Sequence, residues 1–164
     1  MELFDAIKKR ASVREYTAKP IEKSLIEQLI DAARRAPTAR AVEPWEFIVV
    51  DDKEILKQLT QLIPNGPFIK DAALCIIVYC KETPYYLEDG VAATENILLA
   101  TAALGLGACW VAGDKKPYAP EISKLFSVPG EFKLISLISL GWPKSEPKQV
   151  KARSVEDVIH WKKF

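Results

Sequence analysis

Histidine is nearly absent from this chain of 164 residues: His160, close to the C-terminus, is the only one. A serine–histidine–acid triad would have to be built on it, and no Gly-x-Ser-x-Gly elbow presents a serine. We read His160 as a surface or packing residue of a terminal helix. Cysteine is scarce too. Three cysteines argue against a disulfide framework and for a reducing, cytoplasmic setting. No Cys-x-x-Cys occurs, and Cys75 and Cys80 are spaced to face opposite sides of a strand. One histidine cannot complete a usual zinc set, so no metal site is expected and the cysteines read as small buried hydrophobes. An excess of one charge is also missing. Lys plus Arg number 23 and Asp plus Glu 22, a net +1 that gives no reason to expect nucleic acid.

Other absences narrow the field further. Met1–Arg10 alternates charged and apolar residues and does not read as a signal peptide. The greasiest stretch, Val91–Val111, is broken by Thr94, Glu95, Asn96 and two glycines, so it reads as a buried helix and strand, not a membrane span. Gly105-Leu106-Gly107 does not make a dinucleotide loop. Trp110 stands where that fingerprint needs a small residue, and a helix precedes where a strand should. A helix C-cap at Gly105 with a tight turn fits better. Glu88 and Asp89 read as a solvated helix start, not an acid/base pair.

What is present is a core: 49% of residues are hydrophobic, enough for one domain over 1–164. The patterning predicts a first helix at Leu3–Lys9, with Leu3, Phe4 and Ile7 on one face, and an extended Ser12–Tyr16. Ser24 and Glu27 have capping-box spacing ahead of a stripe of Leu25, Ile26, Leu29, Ile30 and Ala33. Strands are predicted at Trp45–Val50, Leu74–Cys80, Ala108–Val111 and Phe132–Leu140, and helices at Lys53–Leu62, Glu88–Leu104 and Pro120–Phe126. Ser154 is placed to cap a last short helix. This mixture is α/β or α+β. Trp45, Trp110 and Trp142 read as core packing.

The chemistry rests on a cationic set. Arg10 and Arg14 flank Ser12, and alternate residues of an extended chain share a face. Two guanidinium groups and a hydroxyl suit a phosphate and polyol; taken alone, the same pattern also describes a solvated basic edge. The order of segments decides more. Arg10-Ala11-Ser12-Val13-Arg14 is followed by Ala36 through Phe47, containing Pro37-Thr38-Ala39-Arg40-Ala41-Val42-Glu43-Pro44-Trp45. Then come Asn96 through Trp110, Leu140-Gly141-Trp142-Pro143 and Lys151-Ala152-Arg153. In this series the chain resembles the FMN-dependent nitroreductase family over essentially its whole length.

The resemblance implies an α+β fold, with a central, mainly antiparallel sheet flanked by helices. It also implies a homodimer holding FMN in two shared sites, with no dedicated catalytic side chain because the flavin carries the chemistry. Arg10, Ala11, Ser12, Val13 and Arg14 match the family's FMN motif: Arg10 at the phosphate, Ser12 at phosphate or ribityl chain, Arg14 near the pyrimidine edge. Lys151 and Arg153 match the C-terminal basic pair at the phosphate. Pro37, Thr38 and Ala39 match a segment reaching the partner's flavin, and Ala112 and Gly113 fall where a backbone amide meets flavin N5. NAD(P)H would be a substrate, followed by a nitroaromatic, quinone or flavin acceptor in a ping-pong cycle. Two positions depart from the family: Ala41 replaces its usual Asn and Glu43 its usual Gln, so the usual side-chain contacts there are changed. Alternatives on the same scaffold are a dehalogenase or oxidase, a flavin-holding or sensing protein, and an interaction protein without cofactor.

Overall fold

The unbroken apolar run at 74–80 exists because both of its faces are covered. In the structure, a computed structural model describing residues 1–164, this run is the second strand of a four-stranded sheet. The strands are β1 (Trp45–Val50), β2 (Leu74–Lys81), β3 (Gly107–Ala112) and β4 (Phe132–Gly141). Their order is β1-β2-β4-β3, with every neighbouring pair antiparallel. Alternate residues of β2 enter two cores. Leu74, Ile76, Val78 and Cys80 pack with Leu29 and Ala33 of α2 (Lys23–Ala33) and Ala93 and Ile97 of α4 (Tyr86–Ala103). Cys75, Ile77 and Tyr79 pack with Leu56 and Leu59 of α3 (Lys53–Leu62) and Ile122 of α5 (Ala119–Leu125). The fold is therefore α+β with helices on both faces of an antiparallel sheet. Cys75 and Cys80 do point to opposite faces, and all three cysteines are buried and free.

Local chemistry explains two helix ends. Asp52 caps α3, its carboxylate accepting from the amides of Glu54 (2.9 Å) and Ile55 (3.0 Å). α4 ends at Gly105 in the left-handed region (φ 75°), where Leu106 N–H donates to Thr101 O and Gly105 N–H to Ala102 O. That is the helix C-cap expected there.

Three expectations are corrected. α2 starts after Glu22, so Ser24 and Glu27 lie inside the helix and form no capping box. The Glu22 carbonyl already serves Leu25 and Ile26, and Glu27 pairs instead with Lys23 at 3.6 Å. Ser154 caps only one turn, accepting from Asp157 N at 3.3 Å. The apolar residues that follow, Val155, Val158 and Ile159, have no core to pack on, so nothing sustains a helix. His160 is accordingly exposed outside any helix, its ring 4.1 Å from that of Phe164. As expected, a first helix α1 spans Leu3–Lys9; it packs on α4 with only Ala6 buried, and Leu3, Phe4 and Ile7 face outward. No helix is long and apolar enough to cross a membrane.

Candidate cofactor site

The Arg10–Tyr16 segment crosses the end of the sheet on a floor made by two glycines. Gly107 of β3 and Gly141 of β4 are paired across the ladder. A Cβ on Gly107 would lie 2.7 Å from the Val13 side chain, and one on Gly141 2.6 Å from the Tyr16 ring. With no side chains there, Ser12 bridges Ala108, and Val13 N–H donates to Ala108 O at 2.8 Å. Tyr16 locks the far end. Its hydroxyl donates to Val13 O and shares a 2.8 Å hydrogen bond with Ser139 Oγ. Burial holds the phenol far above its usual range, so it stays a donor.

Arg10 and Ser12 open into one cavity of about 580 Å³, and Lys151 joins them from a position 139 residues beyond Ser12. Its other walls include Leu98, Leu99 and the indole of Trp110, with Glu95 as its acid. Gln149 brings the C-terminal tail there, its Nε2 donating to Arg10 O at 2.7 Å and so satisfying a carbonyl beyond the end of α1. Ala11 and Val13 border an adjoining crevice of about 180 Å³ shared with Arg10. Trp45 and Trp142 are packing residues, Trp142 donating to Pro20 O at 3.1 Å beneath the Lys19 ammonium.

Arg14 and Arg153 do not line this cavity. After Val13 the segment leaves β3 to reach Pro143, so the alternation of a regular strand does not extend to Arg14. Its guanidinium lies 5.6 Å from the centre of the Phe68 ring, a cation–π arrangement. The thiol of Cys109 ties Arg14 back to Ser12: burial pushes that thiol up, opposed by the Arg14 charge and by a hydrogen bond from Ser12. Arg153 donates to Asp157 O within the tail.

The two flavin-facing backbone segments expected from the resemblance are both fastened to the first turn of α4. Gly113 N–H donates to Ile135 O at 3.0 Å, so antiparallel alternation turns the Ala112 amide to the open edge of β3. The Tyr118 hydroxyl donates to Ala112 O, and the Tyr86 hydroxyl to Asp114 Oδ1 at 2.8 Å. On the other side, Pro37-Thr38-Ala39 leads into a 3-10 turn at Ala39–Ala41 with Arg40, Ala41 and Glu43 all at positive φ (57°, 53° and 50°). Asp89 anchors it, accepting from Thr38 Oγ1 at 2.8 Å and Ala39 N at 3.0 Å. Glu88 is exposed as expected, but Asp89 is buried: its donors come from the preceding loop and shield it from water. No sequence motif marks Tyr16, Gln149, Tyr86 or Asp89 as a site residue.

Two cations and a hydroxyl converge on a cavity with aliphatic and indole walls, a donor set that fits a phosphorylated planar ligand. The nitroreductase family profile matches residues 7–83 and 64–142 of this sequence. The chain belongs to the nitroreductase family. A relative from Methanothermobacter thermautotrophicus, described as "Putative NADH dehydrogenase/NAD(P)H nitroreductase", is 38% identical over 90% of this chain and 80% of its own. The FMN-dependent nitroreductase of Clostridium difficile R20291 superposes with a TM-score of 0.92 at 31% identity, over 98% of this chain and 99% of that one. An iodotyrosine deiodinase of Thermotoga neapolitana is 28% identical over 99% of this chain and 98% of its own.

Proposed function

We propose that this nitroreductase-family chain is an FMN-dependent NAD(P)H oxidoreductase that reduces small acceptors (nitroaromatics, quinones or flavins) in a ping-pong cycle. It would work as a homodimer with shared FMN sites in a reducing, cytoplasmic compartment. The observation that carries the reading is the convergence of Arg10, Ser12 and Lys151 on one cavity. Arg10 and Lys151 would hold the phosphate by charge-assisted hydrogen bonds, and Ser12 would bond the phosphate or ribityl chain. From the Ser12 bridge at Ala108, the edge of β3 runs about 14 Å to the outward amide of Ala112, at roughly 3.4 Å per residue. That amide is a donor for the ring, and Arg14 would place positive charge at its pyrimidine edge. Bound FMN would supply the hydride chemistry, so these side chains have only to bind, orient and bias charge. NAD(P)H and the acceptor would use the same open face in turn. Arg153 would join the phosphate when the tail folds over the site.

Support for a dimer comes from apolar surface that one chain leaves open. Leu3 and Phe4 of α1 are 63% and 73% exposed, and Trp161 and Phe164 of the tail are 82% and 102% exposed. The segment 37–43 would then reach the partner's flavin. The three free, buried cysteines support a reducing compartment. The deiodinase relative favours a second reading, reductive dehalogenation on the same site.

The decisive measurement is the visible spectrum of the purified protein with added FMN, followed by NADH or NADPH. A flavin band that bleaches with reduced nicotinamide and returns with a quinone or nitroarene is expected. A colourless protein that takes up no FMN refutes the cofactor. A yellow protein that no nicotinamide reduces refutes the enzyme and leaves a flavin-holding protein. Return of colour with a halogenated phenol alone, with halide release, replaces the acceptor class.

A further inference from the structure

A carboxylate in the first turn of a helix belongs in water, where it complements the helix dipole at little cost. Asp89 sits in the first turn of α4 and is 4% exposed, while its neighbour Glu88 is exposed. A buried carboxylate without a cation is costly and needs full hydrogen bonding. None of the protein's ion pairs includes Asp89. Both of its oxygens are used by one loop: Oδ2 accepts from the Thr38 hydroxyl at 2.8 Å and Oδ1 from Ala39 N–H at 3.0 Å. The Thr38 hydroxyl in turn accepts from Glu43 N–H at 3.1 Å. Asp89, Thr38 and Glu43 therefore form a chain of bonds across the base of the loop.

The loop needs such a tie. Arg40, Ala41 and Glu43 are non-glycine residues in the left-handed region, a conformation that side chains with a Cβ resist. Their side chains are exposed and make no packing contact with either core that could impose it. Strained backbone persists only where surrounding structure over-determines it. Within this chain the over-determination comes from the Asp89–Thr38–Glu43 chain and two weaker turn bonds, Ala41 N to Thr38 O and Val42 N to Ala39 O, each 3.3 Å.

We infer that Asp89 is a positioning residue for the cofactor: it acts through Thr38 to hold the 38–43 loop in the one shape in which its backbone meets the flavin of the partner subunit. The inference rests on the flavin reading above. Asp89 touches no ligand itself. Its function is to fix a loop that has no cofactor-reading side chain at Ala41, so that backbone groups, not an amide side chain, make the contact.

The test uses Asp89→Asn, Thr38→Val and Thr38→Ser in the full chain. Thr38→Val keeps shape and removes the hydroxyl; Thr38→Ser keeps the hydroxyl and is the rescue. Two readouts are taken: amide hydrogen exchange at Ala39 and Glu43 without cofactor, and FMN affinity with the visible spectrum and reduction potential of the loaded protein. Thr38→Val and Asp89→Asn are expected to lose protection at the Glu43 and Ala39 amides, weaken FMN binding at least tenfold and shift the flavin spectrum. Thr38→Ser is expected to retain all three. Thr38→Val with parental exchange overturns the inference, as does lost protection with unchanged affinity, spectrum and potential. If Asp89→Asn does not fold, the Thr38 pair decides alone. A parent chain that binds no FMN refutes the cofactor reading instead; exchange then judges the tie, which stands if both variants lose protection and falls if neither does.

Discussion

Replacing Gly107 by alanine should damage a position where general rules favour alanine. In a strand, Gly costs about 0.5–1 kcal/mol relative to Ala through backbone entropy, so Gly107→Ala would ordinarily stabilise. Here the new Cβ would lie 2.7, 2.8 and 2.9 Å from Cγ1, Cβ and Cγ2 of Val13. Carbon atoms pack at roughly 3.5–4.0 Å, so the segment must lift off β3 by close to that difference. Rotating Val13 does not relieve the contact, because its own Cβ is one of the three atoms. Overpacking of this kind costs about 1–3 kcal/mol. Subtracting the strand benefit leaves a net loss of about 0–2.5 kcal/mol, centred near 1. The functional loss should be larger. Lifting Val13 stretches its 2.8 Å bond to Ala108 and moves Ser12 away from Lys151. A hydrogen bond to a charged group contributes about 1.5–3 kcal/mol, hence a ten- to roughly 150-fold weaker FMN complex. Urea melts of the cofactor-free protein and fluorescence titration with FMN measure the two effects. Gly130→Ala is the control, since a Cβ there meets nothing within 4 Å; it should be neutral or stabilise by about 0.4–1 kcal/mol. Adding Val13→Ala to Gly107→Ala removes two of the three close atoms and should recover part of both losses. A Gly107→Ala protein as stable as the parent, with parental FMN affinity, would show that the Arg10–Tyr16 segment does not rest on this floor.

Four further outcomes are expected. Ala41→Asn should stabilise by some part of the roughly 1–2 kcal/mol that a left-handed residue costs, because Asn tolerates φ near 53°, whereas Ala41→Val should destabilise; shifts of the same sign in urea melts of both would refute a left-handed Ala41. Lys151→Ala should weaken FMN binding by roughly tenfold or more, and Arg153→Ala by less, since only Lys151 lines the cavity; titration that ranks them the other way would make Arg153 the stronger of the two phosphate contacts and refute the ranking. Arg14→Ala should weaken flavin binding or lower its reduction potential through loss of a cation, and unchanged occupancy with unchanged potential would count against that role. The Tyr86 phenol is raised from 10.0 to about 12 by its hydrogen bond to Asp114, with burial and nearby acids adding to it. A folded pKa above the unfolded one means its contribution is full below pH 10 and lost as pH rises toward 12; chemical denaturation across that window should show a smaller decline in Tyr86→Phe than in the parent.

Periodicity made the scaffold readable. The run at 74–80 required two covered faces, the stripe from Leu25 to Ala33 required a helix, and Gly105 marked a helix end; each signal lies within a few residues. Boundaries drifted at helix starts that no side-chain cap marks: α4 starts at Tyr86, not Glu88, and α2 starts before the Ser24 that resembled a cap. The expected terminal helix failed for the opposite reason, since no apolar partner waits for it. The site was legible only as a series of motifs, because its physical links span long separations. Asp89 meets donors 50 and 51 positions upstream, and Gln149 meets Arg10 across 139. Nothing adjacent to Asp89 distinguishes a buried anchor from a solvated acid; Glu88, next to it, is the solvated one.

Gly107 and Gly141 sharpen the same point. Each was readable as punctuation at the edge of a strand, yet their function appears only when the ladder pairs them and the N-terminal segment lies across both. The glycine motifs and the arginine motif are one construction: the first supplies the absence of side chains that lets the second reach the cavity. This explains why the collinear series carried more information than any of its members. A basic Arg-x-Ser-x-Arg segment could be solvated in many folds, but one that needs two bare strand positions far along the chain is held in place only where both are present.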